Sequence, residues 1–237
     1  MIYDEIGVTD EPVAPNKGEP DQLKIKAHIE ALETFIIRTK TPLAIGIQGS
    51  WGTGKTSLLK MLEHKFEENE KTPYKQIWIN AWEHSLLSSP EETLIKIIEE
   101  IVSELDTDSG KKIAQKARNM FNAALRITTS ATLGAGAEQA MRETLEGSTT
   151  SNPIKSLRAD LEELINKKVS KNEVKKFVIS VDDLDRIEPK NAVAILELLK
   201  NIFNIPHCVF LLAIDYDVVV KGLEHKFGPR TSENEYE

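Results

Sequence analysis

Residues 49–56 of the chain read GSWGTGKT, and this stretch decides the fold. It matches the pattern G-x-x-x-x-G-K-[ST] at every fixed position. Glycines allow backbone angles that other residues avoid, so that several N–H groups can converge on the oxygens of one phosphate. The apolar run LAIGI at 43–47 precedes the stretch, and a helical pattern follows it from about Lys55 to Glu67. The sequence therefore predicts a phosphate-binding loop between a buried strand and a helix whose positive dipole end faces the same anion.

The polar side chains at the end of this loop have separate tasks in the predicted site. Lys55 is expected to reach the β- and γ-phosphates of a nucleotide, and the Thr56 hydroxyl is expected to ligate Mg²⁺. Trp51 either covers the sugar or contacts a neighbouring protomer. The residues expected to contact the nucleotide are Gly49, Ser50, Trp51, Gly52, Thr53, Gly54, Lys55, Thr56 and Ser57.

A second informative stretch, FVISVDDLDR at 177–186, delivers carboxylates at the end of an apolar strand. Ligands of open α/β sheets bind at the carboxyl ends of the strands. Asp182 is the predicted magnesium carboxylate, and Asp183 is the predicted base that polarises the attacking water. Alone, the stretch also fits an acidic strand-to-loop junction with solvated charges. The complete phosphate loop upstream favours the catalytic interpretation.

Three further polar residues have two interpretations each. Asp185 and Arg186 form a structural ion pair, or Arg186 stabilises charge on the γ-phosphate within the chain or across a subunit interface. Asp215 follows the apolar run 209–214 and either senses the γ-phosphate or caps the next helix. The expected catalytic set is Lys55, Asp183, Arg186 and Asp215.

Apolar strands alternate with amphipathic helices along the rest of the chain. The predicted strands are 43–47, 76–82, 177–181 and 209–214. Strands that are apolar throughout and alternate with helices indicate a mostly parallel sheet covered on both faces. We therefore predict an α/β three-layer sandwich. Residues 106–153 are rich in Ala, Thr, Ser and Gly, and they predict an insertion that is helical in part or mobile.

Composition places the chain among ordinary globular proteins. It has 237 residues, of which 40% are hydrophobic and 29% charged, and its net charge is −8. This acidic balance argues against a nucleic-acid footprint over the whole surface. A local basic face is still predicted, and it is either solvated or a nucleic-acid contact. Its residues are Lys111, Lys112, Lys116, Arg118 and Arg126.

Three observations bear on where the protein works. The single cysteine, Cys208, cannot form an internal disulfide, which favours a reducing compartment and a packed thiol. Residues 1–20 lack the basic and apolar regions of a signal peptide and read as an irregular leader. No stretch approaches the roughly 20 apolar residues of a membrane helix. We therefore expect a cytoplasmic protein without a membrane span.

Four stretches together resemble one protein family. They are GSWGTGKTS at 49–57, INAWEHS at 79–85, VISVDDLDRIEP at 178–189 and VFLLAIDYDVVVKGL at 209–223. In this combination they resemble the KAP family of P-loop NTPases, over residues from about 22 to 228. The resemblance implies an ATP-hydrolysing switch or scaffold domain whose sheet has an additional central strand, beside the acidic one. Bacterial members of the family are often linked to membrane complexes or to defence against phage.

The chain departs from the family pattern in two ways. Many members carry transmembrane helices between the phosphate loop and the acidic strand, whereas the insertion at 106–153 is rich in small residues and polar. The family fold also continues with another strand and a helical lid, which the polar residues 224–237 do not match. We therefore expect a P-loop domain at 21–237 whose C-terminal strand and lid are missing, as in a fragment or an abbreviated member.

The favoured function is an Mg²⁺-dependent ATPase with a low intrinsic rate. ATP is preferred to GTP because the fourth strand ends in AIDYD at 213–217, without an N-K-x-D pattern. Two alternatives stay open: a slow-hydrolysing switch or scaffold, and a DNA-associated motor. Beyond ATP, the expected partner is another protein or a second copy of the chain, and the sequence does not decide on nucleic acid.

Overall fold

The computed structural model describes residues 24–68, 74–86, 88–105, 153–171, 174–200 and 204–229, together with most of 111–119. The predicted leader at 1–20, the larger part of the predicted insertion at 106–153 and residues 230–237 lie outside the described residues. The domain boundaries drawn from the sequence therefore stay predictions.

Four parallel strands form the sheet in the described part of the chain. They are β1 (Leu43–Gln48), β2 (Tyr74–Asn80), β3 (Lys176–Asp182) and β4 (Cys208–Ile214). Their order across the sheet is β1-β4-β3-β2, so that β4 lies between the loop strand β1 and the acidic strand β3. Asn80 pairs with Asp182, and Gln48 pairs with Ile214, which brings the carboxyl ends of all four strands to one edge. The parallel sheet and its additional central strand are confirmed.

Helices cover both faces of this sheet. They are α1 (Lys26–Arg38), α2 (Lys55–Glu68), α3 (Ala81–Ser85), α4 (Pro90–Leu105), α5 (Pro153–Ser170), α6 (Pro189–Lys200) and α7 (Tyr216–Phe227), with a 3-10 turn at Leu184–Arg186. Successive side chains of a strand point to opposite faces. In β4, Val209 and Leu211 pack with α1 and α2, whereas Phe210 and Leu212 pack with α4, α5 and α6. The three layers confirm the predicted sandwich.

The second strand ends earlier than the sequence predicted. Asn80 closes β2, and Ala81 and Trp82, which were expected in the strand, begin helix α3. The Glu83 N–H donates to Asn80 Oδ1 at 3.2 Å, and Asn80 Nδ2 donates to Glu83 Oε1 at 3.1 Å. This cap satisfies a backbone donor of the first helical turn, so the chain turns into a helix although Trp82 is apolar.

The aromatic and thiol side chains of the strands differ in burial. Phe177 is buried, whereas Trp78 is half-buried and has the Lys60 ammonium 5.9 Å from its ring centre. Cys208 is buried, and its burial raises the pKa of the thiol to about 12. It is therefore packed, as the sequence predicted. Within the described ranges, no helix has the length and apolar character needed to cross a bilayer.

Gly222 supports a prediction about how α7 packs on α6. A Cβ at this position would stand 2.3 Å from the Pro189 carbonyl oxygen and 2.5 Å from Val193 Cγ2. Replacing glycine by alanine inside a helix ordinarily stabilises it by about 1 kcal/mol. Here backbone must move, so we predict that Gly222→Ala lowers the free energy of unfolding by about 2 kcal/mol in urea titrations.

The matched control is Lys221→Ala, at an exposed position of the same helix. Its free energy of unfolding should stay within about 0.5 kcal/mol of the parent value. An unchanged or higher urea midpoint for Gly222→Ala would contradict the close approach of the two helices.

Candidate functional site

The loop between β1 and α2 adopts the shape that its glycines predict. Gly52 and Gly54 have φ angles of 76° and 89°, in the left-handed region that glycine favours. A Cβ on Gly49 would stand 2.4 Å from Thr53 Oγ1, so a side chain there would block the turn. The Thr53 hydroxyl donates to the Ser50 carbonyl at 2.7 Å and closes the loop.

The ammonium group of Lys55 is surrounded by three oxygens. It donates to the Gly49 carbonyl at 2.8 Å and to the Ser50 carbonyl at 3.0 Å. Its third partner is Asp185 Oδ2 at 2.8 Å, in an ion pair whose side chains are 8% and 6% exposed. The prediction of a structural ion pair between Asp185 and Arg186 is therefore wrong, because the Asp185 carboxylate forms its ion pair with Lys55.

The two predicted metal ligands meet at the end of β3. The Thr56 hydroxyl hydrogen-bonds to the carboxylate of Asp182, whose Oδ1 also accepts from the Asp183 N–H at 2.9 Å. Asp182 is 2% exposed. Burial raises the pKa of this carboxyl, the two hydrogen bonds lower it, and the charges of Asp183 and Asp185 raise it further.

The two predicted ligands, a hydroxyl and a carboxylate, fit magnesium better than a transition metal. Mg²⁺ prefers oxygen ligands and is usually held by one or two protein groups, with waters and phosphates in its other positions. In the part of the chain that the structure describes, no three His, Cys, Asp or Glu side chains are arranged to hold a metal. A hydroxyl and a carboxylate beside a phosphate loop suit a magnesium–nucleotide complex.

The Asp183 carboxylate is held from two sides. Arg186 Nε lies 2.7 Å from its Oδ1, and Asn80 Nδ2 donates to its Oδ2 at 3.2 Å. Asp183 has a φ of 58°, in the left-handed region, and it begins the 3-10 turn that carries Arg186. The guanidinium of Arg186 lies 5.7 Å from the centre of the Trp82 ring. The ends of β2 and β3 thus form one polar network, and the role of Asp183 as base stays a prediction.

Asp215 stands at the end of the central strand, beside the loop. Its Oδ1 accepts a hydrogen bond from the Asp217 N–H at 3.0 Å, which makes it the N-cap of α7. The preceding residue, Ile214, accepts from the Gly49 N–H at 3.2 Å and ties the loop to β4. The cap interpretation is confirmed, and the sensor role of Asp215 stays a prediction.

Two residues of the predicted nucleotide contacts differ sharply in exposure. Trp51, in the loop, is 72% exposed, and both interpretations of its role stay open. Ser57 is buried in the first turn of α2. Direct contact of the loop residues with nucleotide therefore stays a prediction for each of them.

The predicted basic face is partly neutralised by neighbouring acids. Arg118 Nε lies 2.5 Å from Glu99 Oε1 on α4, and Lys116 pairs with Asp160 on α5. These ion pairs favour a solvated structural face over a nucleic-acid contact. Arg126, the last member of the predicted face, lies outside the described residues.

Comparison with known proteins identifies the family. A family model described as the KAP family P-loop domain matches residues 25–237. The chain belongs to this family. The KAP domain is also similar to the phage T7 exclusion protein of Escherichia coli (strain K12), with 22% identity over 210 residues. That match covers 76% of this chain and 27% of the relative, so the chain spans about a quarter of the relative's length.

The sequence did not predict two contacts of the candidate site, one made by Asn80 and one by Asp185. Asn80 was noted as part of a motif, but its bond to Asp183 was not expected. The spacing of Asn80 and Glu83 is a helix-cap signal and could have moved the end of β2. Asp185 was paired with its neighbour in sequence, and nothing in the sequence indicates that its carboxylate reaches Lys55.

Asp182 gives the KAP domain a testable pH dependence. Because burial raises its pKa, the carboxyl ionises less easily in the folded state, and its charge lowers stability once the pH exceeds the unfolded pKa. We predict that Asp182→Asn raises the melting temperature near neutral pH in magnesium-free buffer. As the pH falls through the folded pKa, the parent carboxyl is protonated and this advantage disappears.

The control for this prediction is Asp217→Asn, which removes an exposed carboxylate from the first turn of α7. Its loss should lower the melting temperature slightly near neutral pH, because acids stabilise helix N-termini. Thermal unfolding with a chelator at neutral and mildly acidic pH measures both variants. A lower melting temperature for Asp182→Asn at neutral pH would contradict the unfavourable charge.

Proposed function

We propose that the domain binds ATP with Mg²⁺ and hydrolyses its β–γ phosphoanhydride bond slowly. The observation that carries this proposal is the hydrogen bond between Thr56 and Asp182 beside a complete phosphate loop. It joins the two groups on which magnesium would be held, directly or through water, although 126 positions separate them along the chain (182 − 56). Membership of the KAP P-loop family supports nucleotide binding.

Positioning and charge neutralisation account for the proposed chemistry. Thr56 and Asp182 would hold the Mg²⁺, which would supply positive charge beside the phosphates. Lys55 would bind the same phosphates, and the N–H groups of the loop would orient them. Asp183 would accept a proton from the attacking water, for which its carboxylate must lie within hydrogen-bond reach.

A slow-hydrolysing switch is supported by the partners that both reactive side chains already have. Lys55 is paired with Asp185, and Asp183 is paired with Arg186 and Asn80. Arg186 and Asn80 contact the two oxygens of the Asp183 carboxylate, one each. Fast turnover would require these contacts to be exchanged, which favours a protein that reports its nucleotide state to a partner.

The printed name of the relative suggests a biological setting. We propose that this domain takes part in defence against phage, on the similarity to the phage T7 exclusion protein. The similarity covers 27% of that relative. We also propose that it acts in the cytoplasm, on the basis of a single buried cysteine. A protein partner or a second copy of the chain would receive the nucleotide-dependent signal.

Thr56→Val tests the proposed magnesium site without changing the shape of the side chain. We predict that magnesium-dependent ATP hydrolysis falls by roughly 100-fold or more, because the metal loses a ligand. Binding of ATP in chelator should stay within about threefold of the parent, since Lys55 and the loop are intact. Phosphate release and equilibrium titration measure the two quantities.

Thr39→Val is the control for loss of a threonine hydroxyl, because Thr39 follows α1 and its hydroxyl donates to the next carbonyl at 3.4 Å in an exposed hydrogen bond. It should hydrolyse ATP at the parent rate. Parent-like hydrolysis by Thr56→Val would refute the assigned metal ligand.

Turnover separates an enzyme from a switch. We predict single-turnover and multiple-turnover rates below about 1 per minute, far under the usual 1–1000 per second of enzymes. Added duplex DNA should not raise the rate, since Lys116 and Arg118 of the basic face are paired with acids. Fast multiple turnover would refute the switch, and a salt-sensitive stimulation by DNA would support the motor instead.

A further inference from the structure

The ammonium group of Lys55 has no donor left for a phosphate in this arrangement. An ammonium carries three N–H donors. In the structure three protein oxygens surround it, at 2.8 Å (Gly49), 3.0 Å (Ser50) and 2.8 Å (Asp185). Any anion that takes Lys55 must therefore displace one of these oxygens.

Asp185 is the hydrogen-bond acceptor of Lys55 whose displacement has the largest electrostatic consequence. It carries a full negative charge, whereas Gly49 and Ser50 present neutral carbonyls. Its side chain is 6% exposed and that of Lys55 is 8% exposed, so water screens the pair little. A phosphate that binds Lys55 would be repelled by the Asp185 carboxylate, which lies 2.8 Å from the same ammonium. If the phosphate displaces Asp185, a buried carboxylate loses its positive partner.

The position of Asp185 links this pair to the rest of the site. It is the central residue of the 3-10 turn Leu184–Arg186, and Leu184 is buried beneath the turn. The Arg186 N–H donates to the Asp183 carbonyl at 3.2 Å, so the two neighbours of Asp185 in the turn are tied to the core and to Asp183. Because Asp185 and Arg186 are consecutive residues of this turn, movement of Asp185 away from Lys55 would also shift Arg186.

We propose that Asp185 competes with the nucleotide phosphates for Lys55, so that nucleotide binding must break this ion pair and thereby act on the turn that holds Arg186. This inference rests on the proposed nucleotide binding and adds a regulatory element to that site. Asp185 is a positioning residue in this scheme, because it acts through Lys55. The ion pair lowers nucleotide affinity and stabilises the turn when Lys55 is not bound to phosphate.

The variant Asp185→Asn tests the competition, because it keeps the shape and an oxygen acceptor but removes the charge. We expect the dissociation constant for Mg²⁺–ATP to fall about tenfold, equivalent to about 1.4 kcal/mol. In the absence of added nucleotide the melting temperature should fall, since a buried ion pair is lost. The rise in melting temperature on adding ATP should exceed that of the parent.

Two further variants make the test specific. Glu188→Gln removes the same charge from an exposed position three residues on, and its dissociation constant should stay within about twofold of the parent. The difference in dissociation constant between Asp185→Asn and the parent should persist in concentrated salt, because salt screens exposed charges far more than a buried pair. If Asp185→Asn does not fold, Asp185→Ser offers an uncharged acceptor and the same expectation.

Equilibrium titration and thermal unfolding distinguish the outcomes. A parent protein that binds ATP, with Asp185→Asn binding equally or more weakly, would overturn the competition and leave the proposed function standing. If the role of Asp185 is purely structural, Asp185→Asn will have a lower melting temperature and a smaller rise in melting temperature on adding ATP than the parent. Absence of binding by the parent and by Asp185→Asn at millimolar ATP would overturn the proposed function and this inference together.

Discussion

The parallel alignment of four strands is the constraint on which the rest of the structure depends. Because all four strands run parallel in the order β1-β4-β3-β2, their carboxyl ends lie at one edge of the sheet. The loop that follows β1, the acidic stretch after β3, the cap of α7 and the cap of α3 are thereby gathered from distant parts of the chain. Every polar contact of the candidate site joins two of these strand ends or lies within one of them.

Charge compensation is uneven among the three carboxylates of the acidic stretch. Asp185 is paired with Lys55, and Asp183 is paired with Arg186. Asp182 accepts hydrogen bonds, and its pKa is raised by burial and further by the charges of Asp183 and Asp185. A positive ion is therefore most favourable beside Asp182, where the Thr56 hydroxyl also lies. This uneven compensation supports the proposal that the site binds a nucleotide together with Mg²⁺.

The sequence predicted the fold because local and long-range signals agree there. Strands such as 177–181 are apolar throughout, and the glycines of 49–54 lie between an apolar strand and a helical pattern, where they indicate a phosphate-binding turn. Side-chain pairing was harder to predict, because proximity in sequence favours a pair between Asp185 and Arg186. The 3-10 turn instead places the Asp185 carboxylate next to Lys55, and the sequence alone does not reveal this path. The sequence pattern extends β2 too far because Trp82 is apolar and continues the strand pattern, whereas the chain ends the strand at the helix cap Asn80, which also bonds to Asp183.

The side chain of Asn80 serves two neighbours at once, and this limits which residues position 80 can accept. Its oxygen accepts from the Glu83 N–H, and its nitrogen donates to Asp183. Aspartate would keep the oxygen but would set a second negative charge against Asp183. Serine would cap the helix but is too short for the second contact, and glutamine would offer both groups at the wrong length. Asparagine is the one standard side chain with an acceptor and a donor at this distance from the backbone. Helix geometry and the acidic strand together therefore restrict which side chain can occupy position 80.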